Sequence, residues 1–287
     1  MFVMEKRRPV TTAKLKKMKE EGTPISIITA YDYPSARLAE EAGIDAILVG
    51  DSLGNVVLGY DSTIPVTLDD MVYHSRAVAR AAQTAFVVTD LPFMTYHGSV
   101  DQTLRNAARI MQEGCAKAVK MEGGTEIAAA VEACTKAGIP VMAHIGLTPQ
   151  SIHQIGGFKI QGKSTEQAKK LLEDAKALEQ AGAFAIVLEL MTDQLSEHIT
   201  AELSIPTIGI GAGPHCDGQV LVFHDALGYA SDIVPKRMVK EYAQVGNIIR
   251  EGLKQYADEV KQRRFPLPEH SFQMEDQVAE FLYGSKK

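Results

Sequence analysis

Cysteine is scarce in this chain: Cys115, Cys134 and Cys216 are the only three among 287 residues. Their odd number and wide scatter supply neither a disulfide framework nor a zinc cluster, and they fit a reducing compartment. No apolar run approaches the ~18 residues of a membrane span. The opening MFVMEKRRPV has no apolar stretch long enough for a signal peptide, because Glu5, Lys6 and Arg7 follow almost at once. Excess positive charge is also missing. The 30 Lys plus Arg against 36 Asp plus Glu leave a net charge of −6, which argues against nucleic acid as the main partner. A cytoplasmic protein is expected, with no membrane and no nucleic-acid partner.

What is present is ordinary globular composition, 45% hydrophobic and 23% charged, enough to bury a substantial core. Short apolar runs alternate with longer amphipathic ones. The short runs are ISIITA, DAILVG, AFVVTD, KAVKME, IPVMAH, AFAIVLEL, PTIGIG and QVLVFHD (219–225). Each is rich in Val, Ile or Ala and apolar on both faces, the pattern of buried parallel strands. Between them lie helical segments such as LDDMVYHSRAVARAAQ, VDQTLRNAARIMQEG and STEQAKKLLEDAKALEQAG. Thr67 and Ser164 supply caps at helix starts. Gly43, Gly114, Gly138 and Gly182 stand where helices end in a left-handed residue. The basic run from Lys14 to Lys19 reads as the solvated face of a first helix, TTAKLKKMKEEG.

Eight such units indicate an α/β protein, a single (β/α)8 TIM barrel with an N-terminal helix and a C-terminal helical tail. A doubly wound sheet competes, but no Gly-x-Gly-x-x-Gly fingerprint follows the first strand. Residues 1–264 are expected to form the barrel with its N-terminal helix. Residues 265–287 form a proline-containing linker and a short helix that packs on the barrel or on a neighbouring subunit.

Barrel active sites lie at the C-terminal ends of the strands. Asp51 and Ser52 follow the second run, Asp90 ends the third, Glu122 the fourth and His144 the fifth, and Glu189 lies in the sixth. So many ionisable groups on one rim are hard to explain as packing, because buried charges without partners are costly. Strand side chains alternate, so Lys120 shares a face with Glu122; a purely structural Lys120–Glu122 ion pair is the plainer alternative. Asp51, Asp90 and Glu122 offer hard oxygen ligands suited to Mg²⁺, or to another divalent ion, rather than zinc. Helix capping is the competing role for Asp51 and Asp90. The glycines from Gly209 to Gly213 follow the seventh run, where barrels often hold phosphate, and equally let the backbone turn closely past a ligand; the segment QIGGFKIQGKST fits either a movable lid or a long surface loop. His97, His153, His215 and His224 sit in predicted loops without metal-like spacing.

Taken together, TAYDYPSARLAEEAGIDAILVGDSLGNVVLGYDSTIPVTLDDM, DLPF, VKMEGG, AHIGLTPQ, VLEL and GIGAGPHCDGQVLV strongly resemble the ketopantoate hydroxymethyltransferase family. The resemblance runs from about Val10 to Pro268. It implies a barrel of the phosphoenolpyruvate/pyruvate superfamily and an Mg²⁺-dependent enzyme. That enzyme transfers a one-carbon unit from 5,10-methylenetetrahydrofolate to 3-methyl-2-oxobutanoate, giving 2-dehydropantoate and tetrahydrofolate in pantothenate (coenzyme A) biosynthesis. Residue by residue, it makes Asp51 and Asp90 metal ligands, completed by Glu122 directly or through water. It makes Asp51, Ser52, Asp90 and Lys120 contacts of the 2-oxo acid, Glu189 the catalytic base, and His144 a pocket-lining residue. It also implies a homodecamer. Two rivals are an Mg²⁺-dependent 2-oxo acid lyase, which would place a catalytic cysteine on a loop, and a non-catalytic barrel that only binds.

Overall fold

Eight short runs of Val, Ile and Ala pair in parallel, each with the next in sequence, and the last closes on the first. The computed structural model describes residues 8–229 and 236–284. Its strands are β1 (Ile25–Thr29), β2 (Ala46–Val49), β3 (Phe86–Asp90), β4 (Ala118–Glu122), β5 (Val141–Gly146), β6 (Ala185–Glu189), β7 (Thr207–Ile210) and β8 (Gly218–Leu221). The α-helices are α1 (Thr12–Glu20), α2 (Tyr33–Glu41), α3 (Leu53–Val56), α4 (Leu68–Ala81), α5 (Val100–Gln112) and α6 (Ala128–Lys136). They continue as α7 (Ile152–Ile155), α8 (Thr165–Gln180), α9 (Asp193–Glu202), α10 (Phe223–Ala226), α11 (Val245–Lys261) and α12 (Asp276–Tyr283). Among the described residues no helix is long and apolar enough to cross a membrane.

Strand alternation divides the apolar residues into two cores. Outward residues such as Ile47, Val87, Val119, Ala143 and Ile186 pack under the helices. Inward residues, among them Ile27, Leu48, Phe86, Val88, Met142 and Val187, fill the barrel. The first helix is more than a solvated strip. Thr11 caps it, accepting from the Lys14 backbone N–H at 3.2 Å, and its Leu15 and Met18 join the inner core. Lys19, expected in solvent, instead donates to Asp217 at 2.7 Å and to the Thr200 carbonyl at 2.9 Å. The apolar end of the barrel is thereby closed.

Two local expectations need correction. QVLVFHD does not run as a strand to Asp225, because β8 ends at Leu221 and His224 lies in α10, not in a loop. Its partner β1 ends at Thr29, whose hydroxyl accepts the Phe223 N–H at 2.9 Å and turns the chain over the barrel mouth. Gly43, Gly138 and Gly182 have the left-handed φ expected of them; at the end of α5 that φ belongs to Cys115 instead. Gly114 is required for a different reason. An added Cβ would stand 2.6 Å from the Ile110 carbonyl oxygen and 3.0 Å from Ser75 Oγ on α4.

Among the described residues the C-terminal elements do not complete the outer helical layer around the closed barrel. Neither α11 nor α12 contains a buried residue. On the outside of β8 and β1 an apolar groove remains, lined by Ile28, Leu38, Leu221, Phe223 and Leu227 among others. An eighth outer helix would ordinarily cover that position in this architecture.

Candidate active site

The inner face changes character along the strands. Phe86 and Val88 are followed inward by Asp90, Ala118 by Lys120 and Glu122, Met142 by His144, and Ala185 and Val187 by Glu189. The apolar layers thus lie at the plugged end and the ionisable groups at the open, C-terminal end. Asp51 joins them from the turn after β2. Gly50 leaves the room this requires, since a Cβ there would meet Ser52 Oγ at 2.7 Å.

All the residues expected at the rim line one pocket: Asp51, Ser52, Asp90, Lys120, Glu122, His144 and Glu189. It holds about 120 Å³ of open space, and Leu48, Val187, Ile210 and Val220 add apolar walls. Asp51, Asp90, Lys120, Glu122 and His144 are each no more than 4% exposed. Lys120 Nζ lies 2.8 Å from Asp90 Oδ1 and 3.5 Å from Glu122 Oε1. Asp90, and not Glu122 alone, is therefore its counter-charge. Asp90 Oδ2 accepts the Asp51 N–H at 3.0 Å. His144 bridges two acids, with Nδ1 3.4 Å from Glu122 Oε1 and Nε2 3.2 Å from Glu189 Oε2. Ser52 Oγ lies 2.8 Å from the Tyr31 hydroxyl.

The charges are not balanced. Five carboxylates, those of Asp51, Asp90, Glu122, Glu189 and Asp225, line the pocket against two cations, Lys120 and His144. Burial, and then the charges of Glu122 and Asp90, hold Asp51 well above the usual carboxylate range. Burial also raises Asp90 against the pull of Lys120. Burial would raise Glu122 as well, but Lys120 and His144 outweigh it and bring that carboxyl down to about 2. His144 is pushed the other way. Burial disfavours its charge, yet Glu122 and Glu189 raise it to about 9. Asp51, Asp90 and Glu122 each offer an oxygen within 4.8 Å of the others. Buried, hard-oxygen and short of positive charge, the trio fits a divalent ion such as Mg²⁺.

Some participants carried no signal in the strand pattern. Thr63, Asp225 and Phe158 line the same pocket from loops and from α10. Gln150, buried six residues beyond His144, donates through Nε2 to Asp51 Oδ2 at 2.8 Å. Tyr96 donates to Gln150 Oε1 at 2.7 Å. Of the four histidines expected in loops, none lines this pocket, and His153, like His224, lies in a short helix, α7. His224 packs at a tilt against Tyr31 and edge-on against Tyr229, and His215 lies 3.9 Å from Glu197 at the surface. Among the described residues no cysteine lines the pocket.

The family model described as ketopantoate hydroxymethyltransferase matches residues 9–268. A 3-methyl-2-oxobutanoate hydroxymethyltransferase of Geobacillus kaustophilus is 58% identical over 270 residues, covering 94% of this chain and 96% of that protein. One of Bacillus cereus is 56% identical over 277 residues, covering 96% and 99%. Among solved structures, a phosphonomutase from Burkholderia cenocepacia, described as putative, superposes with a TM-score of 0.58 at 17% identity, covering 88% of this chain and 97% of that one. A 2,3-dimethylmalate lyase of the PEP mutase/isocitrate lyase superfamily gives 0.55 at 16% identity, covering 96% and 92%. At those identities the structures bear on the fold alone.

Proposed function

This chain belongs to the ketopantoate hydroxymethyltransferase family, and from that premise we propose that it transfers a hydroxymethyl group from 5,10-methylenetetrahydrofolate to 3-methyl-2-oxobutanoate. The products are 2-dehydropantoate and tetrahydrofolate, with one water supplying the hydroxyl oxygen. The reading is carried by one observation: three carboxylates short of positive charge stand beside a separate carboxylate, Glu189, on the rim of one small pocket.

Asp51, Asp90 and Glu122 would hold the divalent ion. When bound, that ion supplies Lewis acidity to the keto oxygen as negative charge develops there. Lys120, already a cation beside Asp90, neutralises the substrate carboxylate, and Ser52 adds a hydroxyl. Leu48, Val187, Ile210 and Val220 take the branched carbon chain and keep water from it. Glu189 removes the C3 proton: His144 engages Oε2 and leaves Oε1 for the carbon acid. The resulting carbon nucleophile attacks the methylene carbon of the folate. Phe158, from the segment 154–165, lines the pocket and would face that second substrate. That no cysteine among the described residues lines the pocket speaks against the lyase alternative.

Self-association belongs to the same reading. The exposed apolar residues Ile249, Leu253, Tyr256 and Val260 of α11 and the open apolar groove on β8 and β1 are both left uncovered, and we assign them to contacts between copies in the family's homodecamer. The cytoplasm, where folate and 2-oxo acids are made, is the proposed compartment.

The test is turnover and C3 proton exchange of 3-methyl-2-oxobutanoate with Mg²⁺ and methylenetetrahydrofolate. Glu189→Gln should lower the rate by roughly 10²- to 10⁴-fold, the usual worth of a general base, with metal affinity unchanged. Wild-type protein that shows neither exchange nor product with both substrates and metal present would overturn the proposal.

A further inference from the structure

Gln150 is 3% exposed and Tyr96 is 2% exposed, and neither belongs to the charged cluster they adjoin. The Gln150 amide is almost fully used. Its Nε2 donates to Asp51 Oδ2 at 2.8 Å and to the Leu91 carbonyl, next to Asp90, at 3.0 Å. Its Oε1 accepts from the Tyr96 hydroxyl at 2.7 Å, and its backbone N–H donates to Glu122 Oε2 at 3.1 Å. The Tyr96 hydroxyl in turn accepts the Glu122 backbone N–H at 3.0 Å. Two acceptors on one side of the amide fix its orientation, since a flip would set oxygen against oxygen. One residue therefore touches the three chain segments that carry Asp51, Asp90 and Glu122.

A buried amide serving only the fold would need the Leu91 carbonyl and the Tyr96 hydroxyl. The side-chain bond to Asp51 Oδ2 goes beyond that need, and the backbone N–H of the same residue adds the bond to Glu122 Oε2. A neutral donor suits them, because it orients an anion without cancelling the charge that attracts a cation; a second lysine there would compete with the ion. Donors that fix the unused oxygens of metal-binding carboxylates commonly matter 10- to 100-fold to affinity.

We propose that Gln150, anchored by Tyr96, is a positioning residue: it engages one oxygen of Asp51 and one of Glu122 and so sets the spacing of the oxygens left for the divalent ion and the 2-oxo acid. This rests on the metal reading of the preceding section.

The test is Mn²⁺ titration of the full chain without substrates, followed by the electron paramagnetic resonance signal of free Mn²⁺, with Asp51→Ala as the reference. Gln150→Met keeps the volume and removes the side-chain bonds. It should weaken Mn²⁺ about 10- to 100-fold and raise KM for 3-methyl-2-oxobutanoate, while kcat at saturating metal and substrate falls much less. Tyr96→Phe, which removes only the anchor, should shift both in the same direction by less. If Asp51→Ala loses Mn²⁺ binding while Gln150→Met binds like wild type, the positioning role is wrong and the metal reading stands. If Asp51→Ala binds Mn²⁺ as wild type does, the metal reading fails and takes this inference with it. Should Gln150→Met not fold, Tyr96→Phe decides alone, and an unchanged affinity overturns the proposal.

Discussion

At the scale of single residues, the rim of the barrel holds charge that its own side chains do not neutralise. Lys120 carries most of the compensation, 2.8 Å from Asp90 and 3.5 Å from Glu122 with all three buried. Removing one partner of a buried ionic group strands the others, at a cost of about 3–5 kcal/mol. Lys120→Met should therefore destabilise the metal-free protein by about that much in urea unfolding with EDTA. Added Mg²⁺ should recover more stability in this variant than in wild type, because the ion then supplies the missing charge. Equal unfolding midpoints for variant and wild type in EDTA would remove Lys120 from that role. Asp90, Lys120, Glu122, His144 and Glu189 were legible in the sequence because strand alternation places them on the inner face at strand ends, and Asp51 because it follows β2 at once. Gln150 and Tyr96 were not. Tyr96 reaches the cluster from irregular chain and Gln150 from a single 3-10 turn, Pro149–Ser151, too short for a periodicity to relate residue number to direction.

At the scale of elements, strand positions were readable because parallel strands covered on both faces must be apolar throughout. Ends were less so. Where β8 stops depends on β1 running out of partners at Thr29, a long-range fact that QVLVFHD alone does not contain. Gly114 likewise answers to Ser75 on another helix. One tie between elements is open to a pH test. Glu40 on α2 accepts from the Thr84 N–H at 2.8 Å, the Thr84 hydroxyl at 2.7 Å and the Ala85 N–H at 3.0 Å, where the chain enters β3. Burial would raise its carboxyl, but these bonds outweigh it and hold the group below the usual range. The folded value thus lies below the unfolded one of about 4.3. The stabilisation is complete above the unfolded value and is lost as pH falls through the folded one. Glu40→Gln should cost about 1–2 kcal/mol near neutrality, as the bonds from Thr84 become neutral ones and the Ala85 N–H loses its acceptor to the amide NH2. Its deficit against wild type should shrink in thermal melts taken below about pH 4. A deficit that stays constant across that range would show that the charge of Glu40 is not what matters.

At the scale of the whole molecule, the barrel is polarised: α1 seals an apolar end, the charged rim opens the other, and one flank is left bare. The bare flank is the outside of β8 and β1. Downstream, α11 places Ile249, Leu253, Tyr256 and Val260 at helical spacing on one stripe, 39%, 63%, 57% and 43% exposed. Burying side chains of that size contributes about 1.5–3 kcal/mol each, so a chain that leaves both surfaces in water forgoes a large stabilisation. A second copy can supply to each groove the stripe its own chain does not. Composition announced the tail but not its destination, since an amphipathic helix specifies that one face is covered and not by which chain. Light scattering on wild-type protein should therefore give a mass several times that of one chain. Leu253→Asp with Tyr256→Asp, which sets two carboxylates into the groove, should lower that mass while leaving the rim carboxylates and their Mn²⁺ affinity in place. A wild type that is monomeric at micromolar concentration, or a double variant that keeps the full mass, would show that these two surfaces do not meet.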